Sequence, residues 1–280
     1  MSNVRRMLTA YRLAPDSYLD FIRTDSARFA DLLGAADPAA RVDSCPEWNA
    51  SDLLWHLTEV QWFWSTLVTD RPQDYSVTEG RRPSRPEDHA ELTAMFRRTS
   101  EGLVDALGSA GDDEVAWTWA PEQTVGFIRR RQAHEALIHR VDAELVAGTP
   151  SDLDPALATD GVDEALQVMF GGIPEWATFE AEHGPVEVRT SDTGGRWLVD
   201  VGRQSGLHPG SGQHVDEPTL DVRPTTGTGG ASATAVAAVA AAAPTLDCWL
   251  WGRAAQASLD TSGDPAALAA FAAVIRTGVE

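Results

Sequence analysis

His56, Glu135 and His139 are the residues of this 280-residue chain whose types and spacing could do chemistry together. Positions i and i+4 of an α-helix lie about 40° apart around the axis, so Glu135 and His139 share one helix face. Two imidazoles and one carboxylate make a three-ligand metal site that leaves coordination positions open, as catalysis requires and structural zinc does not. Zinc suits this donor set, and nickel or iron also fit. Asp142 falls one further turn along the same stripe, placed to orient a ligand by a hydrogen bond. Arg131 lies one turn before Glu135 on the same side. His134 stands five residues from His139, about 140° around the helix, so those two cannot chelate one ion. A Glu–His pair at this spacing also arises as an ordinary solvated helix face, and the elements around it decide between the two.

Those elements are helical through the first half. Tyr18, Phe21, Ile22, Phe29 and Leu32–Leu33 predict a helix from Pro15 to Leu33. Asn49 or Ser51 can cap a second helix, with Asp52 in its first turn, that runs to Leu67 and stops before Arg71-Pro72. A third is expected from about Pro86 to Leu107, and a fourth from Val125 to Ala147, closed by Gly148-Thr149-Pro150. Four such helices fit an antiparallel bundle. His56 lies beside Leu53, Leu57 and Val60, hence near the interior, where an unpartnered histidine and glutamate would be costly and a metal would partner both.

The second half changes character. A fifth helix is expected from Asp154 to about Phe179. Short alternating runs follow at 186–189, 196–201 and 219–222, separated by turns such as Asp192-Thr193-Gly194-Gly195. An Ala-rich helix from Ala231 to Trp251, a brief strand near Gln256–Leu259 and a last helix from Pro265 to Ile275 complete a small α+β domain. The expected domains are 1–182 and 183–280.

Charge narrows the function classes. A formal charge of −20 argues against nucleic acid and against an anionic membrane surface. The chain has no lysine: all 22 basic residues are arginine, which excludes Schiff-base chemistry and a Walker-type phosphate loop. Two cysteines make no disulfide framework; Cys45 and Cys248 read as packed thiols, with a nucleophilic Cys45 as the sharper alternative. No apolar core follows Met1–Arg6 and no run is long enough to span a bilayer, so the expectation is a cytoplasmic protein. An Arg-only, Ala-rich balance is what a GC-rich genome encodes, which hints at actinobacteria.

Four segments carry a resemblance. Ser44-Cys45-Pro46-Glu47-Trp48 through Asp52-Leu53-Leu54-Trp55-His56-Leu57, and Arg129 through Glu144 with its His134-Glu135 and His139-Arg140-Val141-Asp142, are the two specific ones. Asp160-Gly161-Val162-Asp163-Glu164 and Trp251-Gly252-Arg253 support them. Together they resemble the mycothiol-dependent maleylpyruvate isomerase family, from about residue 10 to the C-terminus. The resemblance implies an N-terminal DinB-like antiparallel four-helix bundle, followed by a small α+β, sterol-carrier-like domain. It implies a divalent metal on His56, Glu135 and His139, and mycothiol as thiol co-substrate. The metal would hold the thiol as thiolate, which adds to an electrophilic carbon; rotation and elimination return an isomer, or the adduct remains as a transfer product. Asp142 would hold His139 or the thiol, Arg253 would meet a substrate carboxylate, and Arg131 is a weaker candidate for that task. The partners are then a small thiol and a small electrophile, with oligomeric state open. Two other readings stand beside it: a hydrolase using metal-activated water, which needs no thiol, and a non-catalytic metal- or ligand-binding bundle.

Overall fold

The structure, a computed structural model, describes residues 11–72, 74–224 and 234–278. Its described residues divide into two compact units, Leu13–Ser151 and those from Asp152 onward, the latter joined by Tyr11 and Arg12. The division falls at 151, where the sequence placed it at 182. The reason is packing: Val162, Ala165 and Leu166 share one apolar cluster with Val186, Val188 and Trp197 of the strands, so the fifth helix belongs with the sheet.

The first unit holds α1 (Pro15–Ala35), α2 (Ala50–Asp70), α3 (His89–Gly108) and α4 (Val125–Ala147). Each of the last three begins where a side chain accepts from the first-turn amides: Asn49 from Asp52, Asp88 from Glu91, Thr124 from Phe127. At Asn49 the bond is reciprocal, since Asp52 accepts from the Asn49 amide, and the capping box fixes where α2 starts. Gly148, at φ 64°, ends α4 in the left-handed region that glycine enters without steric cost. Phe29, Leu33, Leu53, Leu57, Leu92 and Phe96 form the core between α1, α2 and α3.

The helix directions differ from the expected antiparallel arrangement. Tyr18 meets His134, Asp25 meets Arg140 and Arg28 meets Glu144, so α1 and α4 run parallel. Gly34 faces Thr93 while Gly108 faces Leu19, so α3 runs against α1. Ser65 faces Gly102, and Arg85 before α3 pairs with Asp52 at the start of α2, which makes α2 and α3 parallel too. A parallel neighbour demands a return crossing of the whole bundle, about 30 Å for a 20-residue helix. The Arg71–Asp88 connection, which carries one helical turn at Ser76–Glu79, is long enough to make it.

α4 is buried on nearly every side, including Arg129, Arg130, Arg131, Gln132 and Arg140. Leu145, near its C-terminal end, is exposed. The interior charges are tolerated because they are paired: Arg140 with Asp25 at 2.9 Å, Arg129 with Asp112, Glu144 with Arg28 at 2.5 Å.

The second unit opens with α5 (Pro155–Glu164), which runs into a π-helical turn at Ala165–Met169 and stops well short of Phe179. Ala177–Ala181, its first three residues expected as helix, is β1. The other strands are β2 (Val186–Thr190), β3 (Arg196–Leu207), β4 (His214–Pro224), β5 (Ala237–Ala241) and β6 (Asp260–Gly263). β1 and β2 lie end to end along one edge of β3, and β4 lies along the other. β5 pairs parallel with β2, and β6 closes the far side.

The expected helix from Ala231 to Trp251 is corrected. Residues 231–233 lie outside those described, Ala237–Ala241 is strand, and only Ala243–Leu250 is helix, α6. A central strand buried on both faces reads as a continuous apolar run, and alanine's helix propensity yields to sheet pairing there. The strand expected at 256–259 is a 3₁₀ turn at Gln256–Ser258, with β6 just after it, and α7 spans Pro265–Arg276.

Candidate metal centre

The capping box at Asn49 sets the phase of α2 and carries His56 to the face that meets α4. There the Glu135 Oε1 atom stands 3.4 Å from His56 Nε2 and 3.2 Å from His139 Nε2. One ligand atom from each of the three residues lies within 4.8 Å of the others. Ligands about 2.0–2.1 Å from a tetrahedral ion are separated by about 3.3 Å, so the spacing around Glu135 fits a divalent cation. The donor set, two imidazoles and a carboxylate, is that of an open catalytic site. Side-chain exposure is 32% for His56 and 9% for His139, so access is from the His56 side.

The surroundings fix these donors. Arg131 donates to Glu135 Oε2 at 3.2 Å and leaves Oε1 to the histidines. His139 Nδ1 lies 2.9 Å from Asp142 Oδ2, so whenever the ring is neutral its proton sits on Nδ1 and its lone pair on Nε2. Burial alone would raise the carboxyl of Glu135, but hydrogen bonds from His139 and His56, with the charges of His139 and Arg131, hold it well below the usual carboxylate range. Burial opposes charge on His139 as well; hydrogen bonds to Asp142 and Glu135 and their charges outweigh it and push the imidazole up to about 9. Without a metal, a proton takes its place between His139 and the two carboxylates.

His56, Glu135, His139, Asp142 and Arg131 are thus together. His134 is not with them: it is buried and meets the Tyr18 ring edge-on at 6.4 Å, on the α1 side of α4. Arg253 stands in the second unit, in the turn after α6, where its guanidinium donates to the Trp251 carbonyl at 2.5 Å. Cys45 packs against the apolar cluster of the first unit. Two neighbours went unassigned in the sequence. The Ser44 hydroxyl donates to Asp142 Oδ1 at 2.5 Å, and the Trp48 ring lies 4.7 Å from His56. Their only sequence signal was membership in the Ser44–Trp48 segment. Trp64, also on α2, is buried and stacks with Trp117 at 6.3 Å.

Residues 19–144 match the family described as mycothiol maleylpyruvate isomerase N-terminal domain. No curated protein matches the chain. Among solved structures, the mycothiol-dependent maleylpyruvate isomerase is similar with a TM-score of 0.54 at 14% identity, over 90% of this chain and 95% of that one. A histidine-to-alanine mutant of that isomerase gives 0.56 at 12% identity, with the same coverage. At such identity the likeness to these structures is one of fold.

Proposed function

We propose that the chain, whose residues 19–144 match the mycothiol maleylpyruvate isomerase N-terminal domain, is a metal-dependent isomerase using mycothiol on a small, anionic electrophile. The observation that carries this reading is the position of Glu135 Oε1 between two imidazole nitrogens, inside the matched domain. His56, Glu135 and His139 would hold the cation, zinc in the first instance. When bound, the cation supplies Lewis acidity that keeps a thiol ionised at neutral pH, and mycothiol supplies a nucleophile that isomerisation returns unchanged.

The chain's own residues prepare for that chemistry. Asp142 accepts the Nδ1 proton of His139 and keeps the Nε2 lone pair toward the metal position. Arg131 holds Glu135 in one rotamer and offsets its charge. Three protein ligands leave room for a thiol on the exposed His56 side. No helix among the described residues is long and apolar enough to cross a membrane.

Elemental analysis of protein purified without chelators tests the site. Wild type and His134→Ala are expected to carry near-stoichiometric metal, and Glu135→Gln and His56→Ala to lose it by more than about 100-fold in affinity, beyond the range of outer-shell changes. Metal absent from wild type after reloading would overturn the reading. With metal present, isomerisation of a conjugated unsaturated diacid should require added thiol and return it. Cleavage of an amide or ester without thiol, and no thiol-dependent isomerisation, would make the protein a metal-activated-water hydrolase instead. Arg253→Ala is expected to raise KM for that anionic substrate and leave metal content unchanged; an unaltered KM removes Arg253 from substrate binding.

A further inference from the structure

The loop between α1 and α2 doubles back on itself. Val42 donates to the Trp48 carbonyl at 3.1 Å, Cys45 to Val42 at 3.0 Å, Trp48 to Cys45 at 2.8 Å and Ala50 to Ala40 at 2.8 Å, while Arg41 and Asn49 form an antiparallel bridge. Val42 is fully buried and belongs to the apolar cluster of the bundle, so the loop is pinned at its base. Its end is Asn49, the capping residue that fixes α2 and with it His56. The same few residues therefore set the position of one histidine ligand through the backbone and reach both ligands with side chains.

We propose that this loop is the outer shell of the metal centre and that Ser44 and Trp48 are positioning residues, one for each histidine. The proposal rests on the metal-centre reading above and adds residues which that reading does not need. Ser44 has one hydroxyl proton, and it is directed at Asp142 Oδ1. Asp142 is fully buried, and with Oδ1 engaged its Oδ2 is held toward His139 Nδ1 at 2.9 Å. A relay results, Ser44 to Asp142 to His139, that fixes the ring plane before any cation arrives and keeps the Nδ1 proton in place when the cation takes Nε2. His56 is held differently. The Trp48 ring lies against it with centroids 4.7 Å apart and planes at 37°, and the same ring is 6.4 Å from His139. The two imidazoles meet near edge-on, 4.8 Å apart at 73°, so a ring flip at either would carry its nitrogen away from the shared Glu135 oxygen. One ligand is oriented by a hydrogen bond and the other by an aromatic face, both from one loop.

The test uses the full-length protein, with zinc affinity read by competition against a chromophoric chelator and geometry read from the visible absorption of the cobalt(II) form. Ser44→Ala is expected to weaken zinc about 10-fold, the lower end of outer-shell losses, and Ser44→Thr, which keeps the hydroxyl, to restore affinity. Trp48→Leu is expected to change the cobalt(II) spectrum. Asp37→Ala is the control: it removes the Asp37 Oδ1 acceptor for the Ala39 amide in the same connection and touches neither ligand. It should bind zinc as wild type does. Wild-type affinity in Ser44→Ala, or an equal loss in Asp37→Ala, would overturn the assignment of Ser44; an unchanged spectrum in Trp48→Leu would overturn that of Trp48. Wild type that takes up no metal would fail the underlying reading instead, and the two failures are told apart by that one sample.

Discussion

A proton and a metal cation compete for one position beside Glu135. In the metal-free protein His139 carries its proton up to about pH 9, and Glu135 stays ionised far below neutrality. The cation needs the Nε2 lone pair, so it must displace that proton. The sign follows: metal affinity rises with pH until His139 has titrated and then levels off. Calorimetry in buffers of different protonation enthalpy should find nearly one proton released per ion at about pH 7, falling toward none above about pH 10. Absence of release at neutral pH would mean that His139 is not a ligand. At this scale the sequence was partly legible. Glu135 and His139 are one helix turn apart, and periodicity finds such pairs. Ser44 and Asp142 are separated by 98 positions, and only the closed loop brings them together.

At the scale of elements, the sequence announces α2, α3 and α4 because their starts carry side-chain caps, and α4 has the limits its pattern predicts. The Ala231–Trp251 run was misleading for the converse reason. Its composition favours helix, but Ala237–Ala241 hydrogen-bonds in register with Val186–Thr190, and that pairing is invisible in local propensity. The caps also make a prediction. Asn49→Ala removes the side-chain acceptor for the Asp52 amide, leaving only the backbone half of the capping box, and should cost about 1 kcal/mol of stability in thermal or denaturant unfolding, with Asn49→Asp keeping most of it. His56 lies within two turns of that cap, so zinc binding should weaken in the same variant. A loss of stability without any change in zinc affinity would show that the start of α2 does not govern the ligand.

For the whole molecule, two units with separate cores imply that a ligand acts first on the unit that holds it. A cation bound by His56, Glu135 and His139 stabilises Leu13–Ser151 by mass action. Hydrogen exchange measured with and without a chelator should show amides of 41–56 and 131–142 losing protection on metal removal, while those of β2 and β3 hold theirs. Equal loss across the strands would make the two units one cooperative body. The sheet has a consequence of its own. Its outer strands among the described residues are β1, five residues long, β4, with Asp216, Glu217, Asp221 and Pro218, and β6, four exposed residues long. Charge, proline and shortness are what keep a bare strand from recruiting another chain. Crowded solutions of this protein should resist edge-to-edge aggregation, and any self-association has to use some surface other than the rims of the sheet.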